Sequence, residues 1–473
     1  MRLGQGWLAM LMTAAVVWLL SPVSHGLAQA AEPGEKLSRD RGSVEFSAWL
    51  KTQSEAAQRG YRFLTEKSYL PADLDDDVRQ ELEKRFLESH VGAGSPEVLR
   101  HYGLTVRPSD LLDRPLQYVV DEQRRWVMNC FACHGGTVYG QTYPGAPNSE
   151  YQLQTLTEDV RAAKLRLGKP LGHMDLGSMF MPLGNTVGTT NAVMFGVALM
   201  NYRDEDLNVH TLRSAPRMVH HDMDPPAWWL FHRKRRIYID GFAEKGARGL
   251  MQFMLVRENG PDKFREWEPD FEDVYAFIES LRPPKYPFAI DAPLAERGRV
   301  VFEANCSRCH GSYGAESRYP EKLIDIDEIG TDRVRLDSLT PSHRSGYGRS
   351  WFAYYGKQET WSDPAGYMAP PLDGVWASAP YLHNGSIPTL WHVLHPESRP
   401  KVWHRKDVAC DQLKVGFQID SFDELPSEAM KNNQVRRNYF DTTQFGKSNV
   451  GHDFAEVLTE DERAAVLEYL KTL

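Results

Sequence analysis

Cysteine is scarce in this chain, with five in 473 residues. That excludes a disulfide-built scaffold, which uses many more in far fewer residues. Long apolar runs are scarce too. One, from Trp7 to Leu20, lies near the N-terminus. It is too short to span a bilayer comfortably, and no later segment is apolar enough to do so. Positive charge is in deficit, since 55 Lys and Arg stand against 64 Asp and Glu, a formal charge of −9. This balance argues against nucleic acid as a partner. Aromatic side chains are plentiful, with 12 Trp, 20 Tyr and 20 Phe. They can wall a large apolar ligand or fill ordinary cores.

The early apolar run reads as a secretory leader. Arg2 is the only formal side-chain charge in the first thirty residues, and Ala28-Gln29-Ala30 offers a small-residue cleavage site. Residues 1–30 are therefore expected to be a signal peptide cleaved near Ala30. Its loss takes the formal charge from −9 to −10, because Arg2 leaves with it. The expected location is the periplasm, with no transmembrane span after signal removal.

The few cysteines are concentrated. Four of the five lie in Cys130-Phe131-Ala132-Cys133-His134 and Cys306-Ser307-Arg308-Cys309-His310. Cys-x-x-Cys-His is the spacing used to attach a c-type haem. Two thiols one helical turn apart reach the porphyrin vinyl groups, and the adjoining histidine reaches the iron. Cys130, Cys133, Cys306 and Cys309 are thus expected to hold two haem c groups covalently, with His134 and His310 as proximal iron ligands. A shared zinc site fits less well, because the pairs are 176 residues apart and each has its own histidine. A thioredoxin-like pair needs no following histidine and expects a βαβ setting. Disulfides would leave both Cys-His endings unexplained. Cys410 is left over and reads as a buried or shielded thiol. Bacterial haem attachment to this motif occurs outside the cytoplasm, in agreement with the leader.

The expected fold class is mainly α: two cytochrome c-type helical domains with long loop excursions, after an N-terminal helical extension. The extension is placed at residues 31–115, with surface helices over Phe46 to Gln58 and Asp76 to Ser89. The first haem domain is placed at 116–288 and the second at 289–473. Each is expected to open with a helix leading into its haem motif, Tyr118 to Met128 in the first. In the second, Pro293 starts a helix whose face is Leu294, Gly298, Val301 and Phe302. Each closes with an amphipathic helix. Val274, Phe277, Ile278 and Leu281 mark one, stopped by Pro283-Pro284. Val466, Leu467, Leu470 and Leu473 mark the other, after a capping-box pattern from Thr459 to Glu462.

A second strong iron ligand makes an electron-transfer haem, whereas an open face admits O2 or peroxide. The C-terminal half carries Pro371-Leu372-Asp373-Gly374-Val375-Trp376-Ala377-Ser378-Ala379-Pro380-Tyr381-Leu382-His383-Asn384-Gly385-Ser386. Further on stand Phe440-Asp441-Thr442 and Gly446-Lys447-Ser448-Asn449-Val450-Gly451-His452-Asp453-Phe454. With the paired haem motifs, these strings resemble the bacterial di-haem cytochrome c peroxidase superfamily, most closely its rubber-oxygenase-like branch. The resemblance is specific in the C-terminal half and diffuse through residues 31–285. It implies two covalent haems in mostly helical domains, one relaying electrons and the other meeting a small oxidant. It also implies a second histidine on the C-terminal haem, matched to His452, with Met368 as competitor. His383 stands at a motif position that lies near the haems without coordinating. A calcium ion follows only by analogy with the peroxidases.

The sixth ligand of the first haem stays open. Candidates come from Met174 to Met200, from Gly241 to Met254, or from His220-His221-Asp222-Met223-Asp224. The basic run His232-Arg233-Lys234-Arg235-Arg236, after Trp228-Trp229, suits haem propionates or a solvated edge equally. Two functions remain. One is electron transfer, with a small redox protein or other donor or acceptor as partner. The other is an oxidoreductase in which peroxide or O2 reacts at the N-terminal haem.

Overall fold

A crossed pair of helices organises each half of the chain. The computed structural model describes residues 39–90, 95–108 and 114–473. Helix α1 (Glu55–Glu66) starts where Ser54 Oγ accepts the Ala57 amide at 3.2 Å. Its apolar stripe is Ala57, Gly60, Tyr61 and Leu64, at i, i+3, i+4 and i+7. The stripe packs on α2 (Pro261–Ser280), which buries Phe264, Phe271, Val274, Phe277 and Ile278. In the C-terminal half, α3 (Ala292–Asn305) buries Ala295, Gly298 and Phe302. It packs on α4 (Glu460–Leu470), whose capping box joins Thr459 and Glu462. Both crossings depend on a glycine. A Cβ on Gly60 would collide with the Asp273 carbonyl, and one on Gly298 with the Ala465 carbonyl. Helices α2, α3 and α4 match the sequence pattern.

The expected helix over Tyr118–Met128 is instead a hairpin. Strand β1 (Leu74–Asp75) and strand β2 (Tyr118–Val120) flank β3 (Arg125–Met128), both antiparallel to it. Tyr118, Val119, Val120, Trp126 and Val127 are β-branched or aromatic and suit a pleated surface. Arg124 turns the chain with φ 60°. The helix crossing α2 is therefore α1, which comes from the stretch expected to be a surface extension. The expected surface helix Phe46–Gln58 is broken as well. One helix ends at Lys51, and α1 begins after Ser54 caps it. The helix Asp76–Ser89 is as expected.

About 44% of the described residues are helical and 13% are in strands, so the fold is helix-rich but mixed. The largest sheet element is C-terminal: β4 (Val402–Asp411) lies between β5 (Gly416–Phe422) and β6 (Tyr439–Asp441). Trp403 stacks on Phe440 with ring centres 5.2 Å apart. Cys410 pairs with Phe417 in this sheet and is half-buried, and burial pushes its thiol pKa up. The halves share apolar interior, since Leu339, Tyr347, Trp351 and Phe352 join the core built on α1 and α2. The expected signal peptide lies outside the described residues. Among the described residues, no helix is long and apolar enough to cross a membrane.

Candidate haem-binding site

Each Cys-x-x-Cys-His string forms a single helical turn. In the first, Asn129 Oδ1 accepts the Phe131 amide at 2.9 Å and starts the turn. Phe131 is fully buried among Tyr61, Trp228 and Phe277. This fixes the turn to the α1–α2 crossing, while Cys130, Cys133 and His134 stay half-buried. In the second, the turn Ser307–His310 continues directly from α3, and its residues are also less buried than the helix face behind them. All five cysteines are free thiols. Burial pushes Cys130 up to about 11, Cys133 to about 12 and Cys306 to about 11. A redox-exchange pair needs the opposite, a lowered thiol pKa.

Both motif histidines are oriented in the same way. His134 Nδ1 donates to the Pro226 carbonyl at 3.0 Å, and His310 Nδ1 donates to the Pro370 carbonyl at 2.8 Å. A carbonyl only accepts, so Nδ1 carries the proton and the Nε2 lone pair is free to bind a metal. Burial holds both imidazoles neutral, His134 at about 4. The Pro370 segment is itself fixed. Tyr319 Oη donates to the Ala369 carbonyl at 2.6 Å, and the Met368 amide donates to the Ile239 carbonyl at 2.7 Å.

The surroundings of the two histidines then diverge. His134 stacks on Trp228, with ring centres 4.7 Å apart and planes at 24°. His310 faces His452, with ring centres 6.0 Å apart. With metal–nitrogen bonds of about 2 Å, two imidazoles at roughly this separation could hold one metal ion between them. His452 follows Gly451 and has φ 54°, and its amide donates to the Ile329 carbonyl at 2.7 Å. The buried Arg399 guanidinium holds the loop. Its Nη1 donates to the carbonyls of Asn449 (2.8 Å) and Gly451 (2.7 Å). The free thiols, the two free Nε2 atoms and the facing imidazole fit haem c.

Met368 is turned elsewhere, its thioether lying over Gly241. His383 joins the two proline segments. Its carbonyl accepts the Asp224 amide at 2.9 Å, and its ring lies 4.6 Å from that of Tyr367. In the His220–Asp224 run, Asp222 pairs with Lys447 at 2.9 Å. The basic run is bound internally: Arg233 to Asp373, Arg235 to Glu321 and Arg236 to Glu359. Met194 and Met251 are fully buried in the first core. Among the described residues, no group of three His, Cys, Asp or Glu side chains is placed to hold a metal ion, so calcium finds no such donor set there. Sequence reasoning missed the orienting carbonyls. The accepting residue is the second proline of Pro225-Pro226 in one case and the first of Pro370-Pro371 in the other, so no single sequence position marks it.

A family model described as RoxA-like, cytochrome c-like matches residues 366–404. The match covers Pro370 and His383 and supports a relationship to RoxA-like cytochromes c, and with it a c-type cytochrome that binds haem c. The chain is also similar to two proteins of Sinorhizobium fredii. The uncharacterized protein y4iM is 31% identical over 202 residues, 37% of this chain and 45% of that protein. The uncharacterized protein y4iJ is 29% identical over 260 residues, 41% of each chain. The matched part spans less than half the length of either relative.

Proposed function

We propose that this chain is a periplasmic di-haem c-type cytochrome that transfers electrons. One haem is held by Cys130, Cys133 and His134, the other by Cys306, Cys309 and His310. The first haem unit includes α1 as its leading helix, with α2 closing it. The observation that carries the reading is the pair His310 and His452, facing at 6.0 Å. His452 would hold the iron together with His310 at that site. Haem supplies a one-electron couple when bound. With His310 and His452 both holding the iron, the chain would leave no position there for a small oxidant. The Nδ1 bond to Pro370 keeps His310 in the tautomer that ligates. A small redox protein fits as partner.

A second reading is an oxidoreductase that admits peroxide or O2 at the first motif. The contrast between the two histidines favours keeping it, because His134 stacks on Trp228 where His310 faces an imidazole. Optical and EPR spectra of the purified protein separate the readings. Two low-spin centres that ignore added peroxide support electron transfer alone. A high-spin centre that responds to peroxide supports the oxidoreductase. His452→Ala is expected to convert one low-spin centre to high spin. An unchanged spectrum removes the axial role of His452.

A further inference from the structure

Arg335 is an under-satisfied polar side chain of the interior. Its side chain is 1% exposed, yet among the described residues its one hydrogen bond runs from Nη1 to Asp240 Oδ2 at 3.4 Å. Its Nε is buried without a partner. Arg344 is also buried and binds the same Asp240 oxygen at 2.8 and 3.1 Å, and its Nη2 donates to the Leu336 carbonyl at 3.0 Å. Two guanidinium ions therefore share one carboxylate oxygen. A buried charge is costly unless it is paired and hydrogen-bonded. Arg344 meets that condition and Arg335 does not.

Backbone hydrogen bonds link the surroundings of Arg335 to both His310 and His452. Asp240 lies beside Ile239, whose carbonyl accepts the Met368 amide, two residues before the Pro370 carbonyl that orients His310. On the other side, Arg335 follows the Ile329–Gly330 segment, on which His452 and Gly451 rest. The Tyr367 hydroxyl ties these parts together, accepting the Leu336 amide at 3.1 Å and donating to the Asp332 carbonyl at 2.9 Å. A carboxylate at this place would find a planar, permanently charged fork in a dry setting.

We infer that Arg335 binds a propionate carboxylate of the haem carried by Cys306 and Cys309. Asp240 and Arg344 hold it in position. The inference rests on the di-haem reading. A propionate paired with a buried cation stabilises the oxidised iron less than an unpaired one does. Removing the cation therefore favours the oxidised state. Arg335→Gln is the test, with the midpoint potential of each haem followed by spectroelectrochemical titration of the full holoprotein. The expected result is a lower potential for the second haem and an unchanged one for the first. Arg335→Lys should recover part of the shift. If Arg335→Gln fails to fold, the comparison of Arg335→Lys with the parent carries the test, because an ammonium cannot reproduce the forked contact. Holoprotein whose second haem keeps the parent potential in the tested variant overturns the inference and leaves the di-haem reading standing. Mass analysis that finds no haem at Cys306 and Cys309 overturns both.

Discussion

His452 occupies the left-handed backbone region, φ 54°, which few non-glycine residues adopt. It persists because its neighbours are fixed on both sides. Gly451 lies against Gly330 so closely that a Cβ would collide with it. Arg399, 4% exposed at its side chain, bonds carbonyls on both sides of the loop junction: His392 through Nε at 3.1 Å, and Asn449 and Gly451 through Nη1. This is a positioning role, since the guanidinium contacts the loop's carbonyls and leaves the imidazole free. Arg399→Gln should release the loop and turn part of the second low-spin centre high-spin in EPR, with His452 itself intact. Arg399→Lys should fall between, because an ammonium lacks the planar fork. A low-spin signal of parent intensity in Arg399→Gln would remove the positioning role. The two Cys-x-x-Cys-His turns were legible at this scale because their spacing is local. Arg399 was not, because its partners lie about fifty residues away in sequence and nothing in the chain marks them.

Elements were legible where one face repeats with helical period. Helix α4 shows both its capping box and its apolar stripe, and α3 shows Gly298 and Phe302 one turn apart on one face. Tyr118–Met128 was read wrongly because a short apolar run has no decisive period, and its β-branched and aromatic residues decided the outcome. The partner of α1 could not be read at all. Its stripe shows amphipathicity, but its ion pair from Arg59 Nε to Asp273 Oδ2 at 2.6 Å spans 214 residues. The two glycine crossings are the shared device at this scale. Gly298→Ala should force α3 and α4 apart, because the obstacle is a backbone carbonyl that cannot rotate away. Overpacking of this kind costs about 1–3 kcal/mol. Thermal unfolding followed by circular dichroism should show the loss. An unchanged midpoint would mean that the crossing relaxes freely.

The whole molecule is less divisible than two successive haem motifs suggest. Leu339, Tyr347, Trp351 and Phe352 are C-terminal in sequence but complete the interior around Phe264, Phe271 and Phe277. The basic run after Trp228-Trp229 reaches the same way. Arg233 makes a forked pair with Asp373, at 3.0 to 3.2 Å, and the Trp229 indole donates to the Asp373 carbonyl at 2.9 Å. Asp373 lies three residues beyond Pro370, so this junction braces the segment that orients His310 from the half that carries His134. Unfolding one half therefore uncovers apolar surface of the other, and cooperativity follows from the shared interior. The expected behaviour is one thermal transition, seen at the same midpoint by far-ultraviolet dichroism and, on the proposed di-haem reading, by the absorption bands of both haems. Arg233→Ala leaves the Asp373 carboxylate, 15% exposed at its side chain, without its cation. That should cost about 1–3 kcal/mol and lower the midpoint for both haem signals together. Two separate transitions, or a shift confined to one haem signal, would show that the halves unfold independently and that the basic run serves only the half it is attached to.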